Sequence, residues 1–373
     1  MEFIRWHALS SYVRWVELLE HHKCKIIQFH NNLYSVEYSW AKENNFYPLT
    51  KNKISEIGLE KIKRFKPNII YCTAPFTYTQ NHFIQSLLKI LEKRPKLIAW
   101  YGANCGDEKI FNLFDLTLSN SEYLVNRIRK KGNNAALLRH SFDPIILEKI
   151  KSPPEKKNRV SFFGNLDNTS LDFQDRTKCL QKISNKTQKL DIYGDIYCPN
   201  FSERIKFDLL KKRSYLAASF AKIFNYSKLI YWSNTNNLPP SPWSLPVEFA
   251  KSVKPALFGY DMLSKLSSYK IAFNYHNKHT GDHACNMRIF EASGVGSCVL
   301  TDHKSDIQSL FEPDREIITY KSIDEAISKI QYLVDNPKVT EEIGLAGQRK
   351  TLAKHTTEKQ IEHLYFFLSK VLN

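Results

Sequence analysis

The chain of 373 residues lacks several common features, and each absence narrows what it can be. It has no run of about 18 apolar residues, so no segment is built to cross a bilayer as a helix. Its first residues, Met1-Glu-Phe-Ile-Arg-Trp6, carry no positive region ahead of an apolar stretch, and a cytosolic protein is the expectation. The seven cysteines form no C-x-x-C pair and no zinc spacing, and most read as reduced packing residues. No Asp-x-Asp stands at a strand end, and His and Asp are scattered rather than spaced as ligands, so no metal site is expected. Helix-turn-helix patterns, zinc knuckles and RNP-like aromatic strands are all missing, which argues against nucleic acid as a partner. There is no repeat at solenoid period and no low-complexity tract.

What is present describes an α/β protein. The length exceeds the usual single core, and 42% apolar with 13% aromatic residues suffices for two. Short apolar strands are expected at Phe3–Trp6, Lys25–Phe29, Asn68–Cys72, Leu97–Tyr101, Leu116–Ser119 and Ala136–Arg139. Amphipathic helices at Tyr12–Glu20, Ser55–Phe65, Asn81–Glu92 and Ser121–Lys131 separate several of them, the last opened by the cap Asn120-Ser121. Strands alternating with helices imply a doubly wound parallel sheet. A Lys- and Pro-rich segment, Lys149–Asn158, reads as a linker, after which Arg159-Val-Ser-Phe-Phe-Gly-Asn165 starts a second sheet. The expected ranges are residues 1–148 for the first domain and 159–355 for the second, with an insertion near 198–253. In that insertion a basic, aromatic helix lies around Phe207–Ile223, followed by Leu229–Trp232 and the Pro-rich Asn236–Pro246. It is either an amphipathic membrane- or acceptor-docking element or a packed insert. A last helix, within 356–373, carries the stripe Ile361, Leu364, Leu368 and Val371.

The net charge of +16 suggests an acidic partner. Three basic clusters, Lys61–Lys66, Lys89–Lys96 and Arg127–Lys131, close predicted helices, where they complement the helix C-termini. In a parallel sheet those ends lie away from the ligand edge. The clusters are therefore either contacts with an anionic membrane, at about 1 kcal/mol per residue, or solvated charge.

The densest motif is Asn286-Met-Arg-Ile-Phe-Glu-Ala-Ser-Gly-Val-Gly296, followed by the apolar run Ser297–Thr301. It sets Asn286, Arg288 and Glu291 on the first turns of a helix. A helix start offers unpaired N–H groups to a phosphate, and a guanidinium fits phosphate oxygens. Glu291 shares a face with Arg288 and is suited to accept from ribose hydroxyls; a plain surface Arg–Glu pair is the competing reading. The upstream Tyr269–His276 reads as a strand with a polar end, joined to the helix by a loop with Gly281, Asp282 and His283.

With Val299-Leu-Thr-Asp302, the strand Glu316–Tyr320 and the helix Ser322–Val334, this order resembles the C-terminal half of the GT-B glycosyltransferases of the group-1 type, to which the CgeB proteins belong. The resemblance runs from about Val160 to His363. It implies two doubly wound, Rossmann-like domains facing a cleft, with the last helix crossing back to the first domain. The implied reaction moves a sugar from a nucleotide-sugar to a hydroxyl of a cell-surface polysaccharide or lipid-linked glycan precursor. No catalytic metal is implied, and no cofactor beyond the donor itself. The cytoplasm is the implied location, with the inner face of the membrane as a peripheral site.

On the donor side the resemblance implies Gly164 and Asn165 after the first strand of the second domain, Arg176 on the next helix, Asn274 and His276 at a strand end, and Asn286, Arg288 and Glu291. For Gly164 an ordinary turn stays open, for Arg176 a surface position. His7 stands where inverting relatives place a base, with a buried structural role as its competitor; Asp107 and Glu108 are alternative bases. Two departures stand out. Counting eight back from Glu291 reaches His283, so the usual upstream carboxylate is absent unless Asp282 replaces it. The usual glycine-rich loop is replaced by His7-Ala-Leu-Ser-Ser11. A GT-B fucosyltransferase using a GDP-sugar, and a non-catalytic GT-B scaffold, are the two rival readings.

Overall fold

The computed structural model describes residues 12–30, 33–47, 53–73, 78–102, 108–150, 155–166, 171–195, 201–221, 247–276 and 281–372. Two compact units share the chain. The first takes the described residues up to Asp143, the segment 281–287 and the chain from Lys354 onward; the second takes residues 144–276 and Arg288–Ala353.

The first unit holds a parallel sheet in the order β1 (Ile69–Thr73), β2 (Lys96–Trp100), β3 (Leu116–Ser119) and β4 (Ala135–Leu137). Each strand is short, apolar and followed or preceded by a helix, as a parallel ladder requires. Ser121 caps the helix Glu122–Lys130 by accepting from the Leu124 amide. One face of the sheet packs Ile98, Leu118 and Leu138 against Trp15, Leu18 and Leu19 of the helix Tyr12–His21, with Ile361 and Leu364 of the helix Thr357–Leu372. A single amide ties these together. Gln360 Oε1 accepts from Trp15 Nε1 at 3.1 Å and from Ser141 Oγ at 2.8 Å, while its Nε2 donates to the Arg139 carbonyl.

The strand expected at Lys25–Phe29 does not form. Its short apolar run is suited to a ladder, yet residues 24–30 run without one. Side chains do the pairing instead: Lys61 Nζ donates to the Gln28 carbonyl at 2.7 Å, and the His30 amide donates to Glu37 at 2.9 Å. Lys61 and Glu37 form a buried ion pair at 2.9 Å, so the first residue of the Lys61–Lys66 cluster is an internal strut and not a surface charge. Arg64 of the same cluster pairs with Glu60, and Arg127 and Lys131 both reach Glu108. The expected strand Phe3–Trp6 lies outside the described residues, as do Leu229–Trp232 and Asn236–Pro246.

The second unit is built on five parallel strands in the order β6 (Leu190–Tyr193), β5 (Lys157–Phe163), β7 (Tyr269–Asn274), β8 (Cys298–Asp302) and β9 (Ile318–Tyr320). Val160, Ile271, Phe273 and Leu300 are buried on one face of the pleat, with Leu180 and Ile183 of the helix Leu171–Thr187 and Ile330 and Leu333 of the helix Ile323–Asp335 in the same core, while Ser161, Phe163, Ala272 and Val299 are buried on the other face. Near-continuous apolar runs are what a sheet covered on both faces needs. From β5 the chain passes to β6 on one side, then crosses to β7 on the other. The order reverses between β5 and β7, the point at which open α/β sheets bind ligands beyond their strand C-termini. The thiols of Cys72, Cys179 and Cys298 are pushed up to about 12 by burial, in keeping with packing cysteines.

His140 supplies a test of the first unit. Burial lowers its imidazole to about 4, and Asn120 Nδ2, a pure donor, contacts its Nε2 at 2.9 Å, so the folded ring is neutral. Between about pH 6.5 and pH 4 the unfolded chain binds a proton that the folded one refuses, so stability falls as pH drops through that window. His140→Gln, which still offers an acceptor, should flatten the fall; urea melts at pH 7 and pH 5 that change equally in both proteins would refute it.

Candidate functional site

The site is assembled at the C-terminal edge of the second sheet, around the reversal between β5 and β7. Beyond β5 come Gly164 and Asn165; beyond β7 come Tyr275 and His276. Arg176, on the helix Leu171–Thr187, spans the two. Its Nη1 donates to the Asn165 carbonyl at 3.1 Å and its Nη2 to the Tyr275 carbonyl at 3.4 Å. The residue is 6% exposed, which replaces the alternative of a surface position. Burial lowers its guanidinium to about 10, with Asp302 raising it and the positive charge of Arg288 lowering it further. It stays charged at neutral pH.

Gly164 donates its amide to the Tyr193 carbonyl at 3.1 Å. Its neighbour across the ladder, Gly194, is constrained more tightly: a Cβ there would stand 2.5 Å from the Gly164 oxygen. Two glycines thus let the tails of β5 and β6 close on each other.

Asn274 ends β7 in register with Thr301 of β8, and its Nδ2 donates to Thr301 Oγ1 at 2.9 Å. Tyr320 at the end of β9 donates its hydroxyl to the Asn274 carbonyl at 3.0 Å. His276 is buried, and Asp302 Oδ1 accepts from both its backbone amide, at 2.9 Å, and its ring Nδ1, at 2.7 Å. Burial works to raise the Asp302 carboxyl, but the bonds from His276 and the Lys304 ammonium at 3.3 Å outweigh it and hold it below the usual carboxylate range. With Nδ1 carrying the proton, the His276 ring presents Nε2, which meets no hydrogen-bond partner among the described residues.

Arg288 and Glu291 open the helix Met287–Gly294. Arg288 Nη1 bonds Glu291 Oε2 at 2.6 Å and also contacts the Met262 sulfur. Both side chains are largely enclosed, at 17% and 11% exposure, so this is not an ordinary surface pair. The other end of the helix is held by Lys156, which donates to the Val295 and Gly296 carbonyls and is lowered to about 8 by burial. Gly296 turns the chain into β8 at φ +74°, a conformation that suits glycine.

Arg176, Asn274, His276, Gly164 and Asn165 therefore share one sheet edge, and Arg288 lies within electrostatic range of Arg176. Asn286 falls with the first unit. His7 and Asp107, the candidate bases, lie outside the described residues; Glu108 is engaged by Arg127 and Lys131. Asp302, Thr301 and Lys304 are additions. Their signal in the sequence is the polar end of Val299-Leu-Thr-Asp302, since parallel strands in register bring their last residues to the same edge.

The sequence model of a family described as glycosyl transferase-like matches residues 176–365. No curated protein matches the chain in sequence. Among solved structures, the Anabaena HepE protein in complex with UDP-glucose is similar at 12% identity and TM-score 0.54, over 95% of this chain and 88% of that one. Sucrose-phosphate synthase from Thermosynechococcus elongatus is similar at 11% identity and TM-score 0.51, over 87% and 80%. A glycosyltransferase from Rickettsia africae is similar at 10% identity and TM-score 0.51, over 90% and 88%. At such identities the likeness concerns the fold, which is the GT-B architecture of two Rossmann-like domains.

Asp302→Asn tests the His276 cluster. It should cost about 1.5–3 kcal/mol of stability at pH 7, the range for a hydrogen bond to a charged group. Because the folded carboxyl titrates below its unfolded value, that contribution is present above about pH 3.9 and is lost as pH falls through the folded value. Denaturant melts of the two proteins should thus converge in acid; a gap that does not change with pH would remove the charge from the account.

Proposed function

The chain belongs to the glycosyl transferase-like family, and from that premise we propose that it moves a sugar from a nucleoside-diphosphate sugar to a hydroxyl of a cell-surface glycan or its lipid-linked precursor, in the cytoplasm and without a metal. The observation that carries the reading is the pair of guanidiniums at the strand-order reversal. Arg176 is buried there with main-chain carbonyls as acceptors, and it feels the charge of Arg288. Like charges held in a poorly solvated place disfavour each other, and a diphosphate offsets both. HepE holds UDP-glucose on a fold of this kind, which supports reading the anion as a nucleoside diphosphate.

In the reaction the bond between the sugar's anomeric carbon and the diphosphate oxygen breaks, and the acceptor oxygen bonds to that carbon. Negative charge grows on the leaving diphosphate, where Arg176 and Arg288 stabilise it through fixed donors that need no reorganisation. These two cations supply the charge that a divalent ion supplies in metal-dependent transferases, so turnover should persist in EDTA. Glu291, held by its bond to Arg288, accepts from the ribose hydroxyls. His276 offers Nε2 as an acceptor to a hydroxyl of the donor sugar, with Asp302 fixing the ring. The acceptor proton goes to a base, for which His7 and Asp107 are the candidates.

Arg288→Ala should lower affinity for the preferred nucleoside diphosphate by about 10- to 150-fold, the equivalent of about 1.5–3 kcal/mol, with the melting profile of the ligand-free protein retained. The nucleotide is first chosen by thermal shift against UDP, GDP and CDP, since a ligand at 100 times its Kd stabilises by about 2.7 kcal/mol. Unchanged affinity by calorimetry takes Arg288 out of the site, and no shift with any of the three removes the donor reading.

Glu291→Gln should weaken the ribonucleotide more than its 2′,3′-dideoxy analogue. The reason is that only the first presents hydroxyls to the carboxylate. Equal losses for the two ligands would mean that Glu291 serves only to hold Arg288.

A further inference from the structure

The helix Phe201–Ala221 buries the wrong side for an ordinary globular helix. Ser214 and Ala217 face inward, at 2% and 3% exposure, while Ile205, Leu209, Leu216 and Phe220 are 46%, 62%, 61% and 50% exposed. At about 100° per residue these four fall on one stripe about 60° wide, opposite Ser214. A water-facing row of this kind is informative where a lone exposed leucine is not, because burying each such side chain would gain about 1.5–3 kcal/mol.

The flanks are basic. Lys206 and Arg213 border the stripe on one side and Lys212 on the other, with Asp208 beyond it, all exposed. In sequence the helix carries five basic residues, Arg204, Lys206, Lys211, Lys212 and Arg213, and two acidic ones, Glu203 and Asp208. Tyr215, 61% exposed, lies at the margin, where a ring with a polar tip suits a boundary between water and apolar matter. The helix follows β6 in the chain.

We propose that this helix lies in the surface of an anionic membrane, the stripe Ile205-Leu209-Leu216-Phe220 entering the boundary between headgroups and acyl chains while the lysines meet lipid phosphates. Charge complementarity selects this partner over a neutral apolar one, since each basic residue near such a surface contributes about 1 kcal/mol. The Lys61–Lys66 and Arg127–Lys131 clusters fit the role less well. Lys61, Arg64, Arg127 and Lys131 are engaged by Glu37, Glu60 and Glu108 inside the first unit. The inference deepens the reading of a lipid-linked acceptor and rests on it for its purpose, since an enzyme with such an acceptor has to work at the membrane.

The test is flotation of the full chain with vesicles of phosphatidylcholine alone and of phosphatidylcholine mixed with phosphatidylglycerol, read beside the thermal shift with UDP, GDP and CDP. The wild-type protein should float with the mixed vesicles and not with the neutral ones, and less so as salt rises. Leu209→Asp with Leu216→Asp, and separately Lys206→Glu with Lys212→Glu, should each lower binding by more than about tenfold. Both pairs are exposed, so melting and nucleotide response should stay as in the wild type. Failure of the wild type to float, equal flotation with both vesicles, or wild-type binding by either double variant would overturn the proposal. If the leucine pair instead dissolves an oligomer seen by light scattering and leaves flotation unchanged, the stripe joins copies of the chain. A lost nucleotide shift with intact flotation would count against the donor reading and leave this one standing.

Discussion

A buried guanidinium bridging the ends of two neighbouring parallel strands is the constraint on which the second unit's chemistry depends. Arg176 fixes the tails of β5 and β7 through the Asn165 and Tyr275 carbonyls. At that place in the sheet the chain has just reversed its direction of growth, which is where open α/β sheets take their ligands. The other side chains of the edge are locked to one another beside it. Glycines 164 and 194 let two tails approach, Asn274 is locked to Thr301, and Asp302 takes two bonds from one histidine. A positive charge that is costly to bury is kept charged because a hydrogen-bonded environment receives it, and a diphosphate would complete the balance.

Arg288 and Glu291 show how one motif carries two meanings. Three residues apart on a helix, they make a short ion pair with no ligand present, which on a surface would contribute little. Enclosure changes the weight of that pair. The helix that carries it is itself held at its far end by Lys156, and its turn into β8 needs the positive φ of Gly296. A pair so supported is preorganised, and preorganised donors are the ones that stabilise charge developing on a leaving group.

The first unit draws on chain that is distant in sequence. Gln360 of the last helix satisfies Trp15, Ser141 and Arg139 at once, and Asn120 donates both to His140 and to the Cys285 carbonyl. Buried amides of this sort specify which segments meet, because leaving any one of their partners unpaired costs about 1–3 kcal/mol.

Local pattern was enough for most elements. Apolar runs and their spacing located the strands at residues 69–73, 96–100, 116–119, 157–163 and 298–302, and Ser121 announced its helix, because a strand covered on both faces and a capped helix depend mainly on adjacent residues. The stretch Asn286–Thr301 likewise marked a helix followed by a buried strand through residue types alone. Three things were decided by tertiary structure. Lys25–Phe29 has the composition of a strand, but no ladder forms there; Lys61 takes the Gln28 carbonyl and Glu37 the amide of the following His30. Arg176 and Asp302 gain their roles from carbonyls and a ring 11 to 99 and 26 residues away, which no spacing rule encodes. The helix Phe201–Ala221 reads equally as packed or exposed, because periodicity states only that two faces differ; which face is turned to water is settled by what the rest of the unit packs against it.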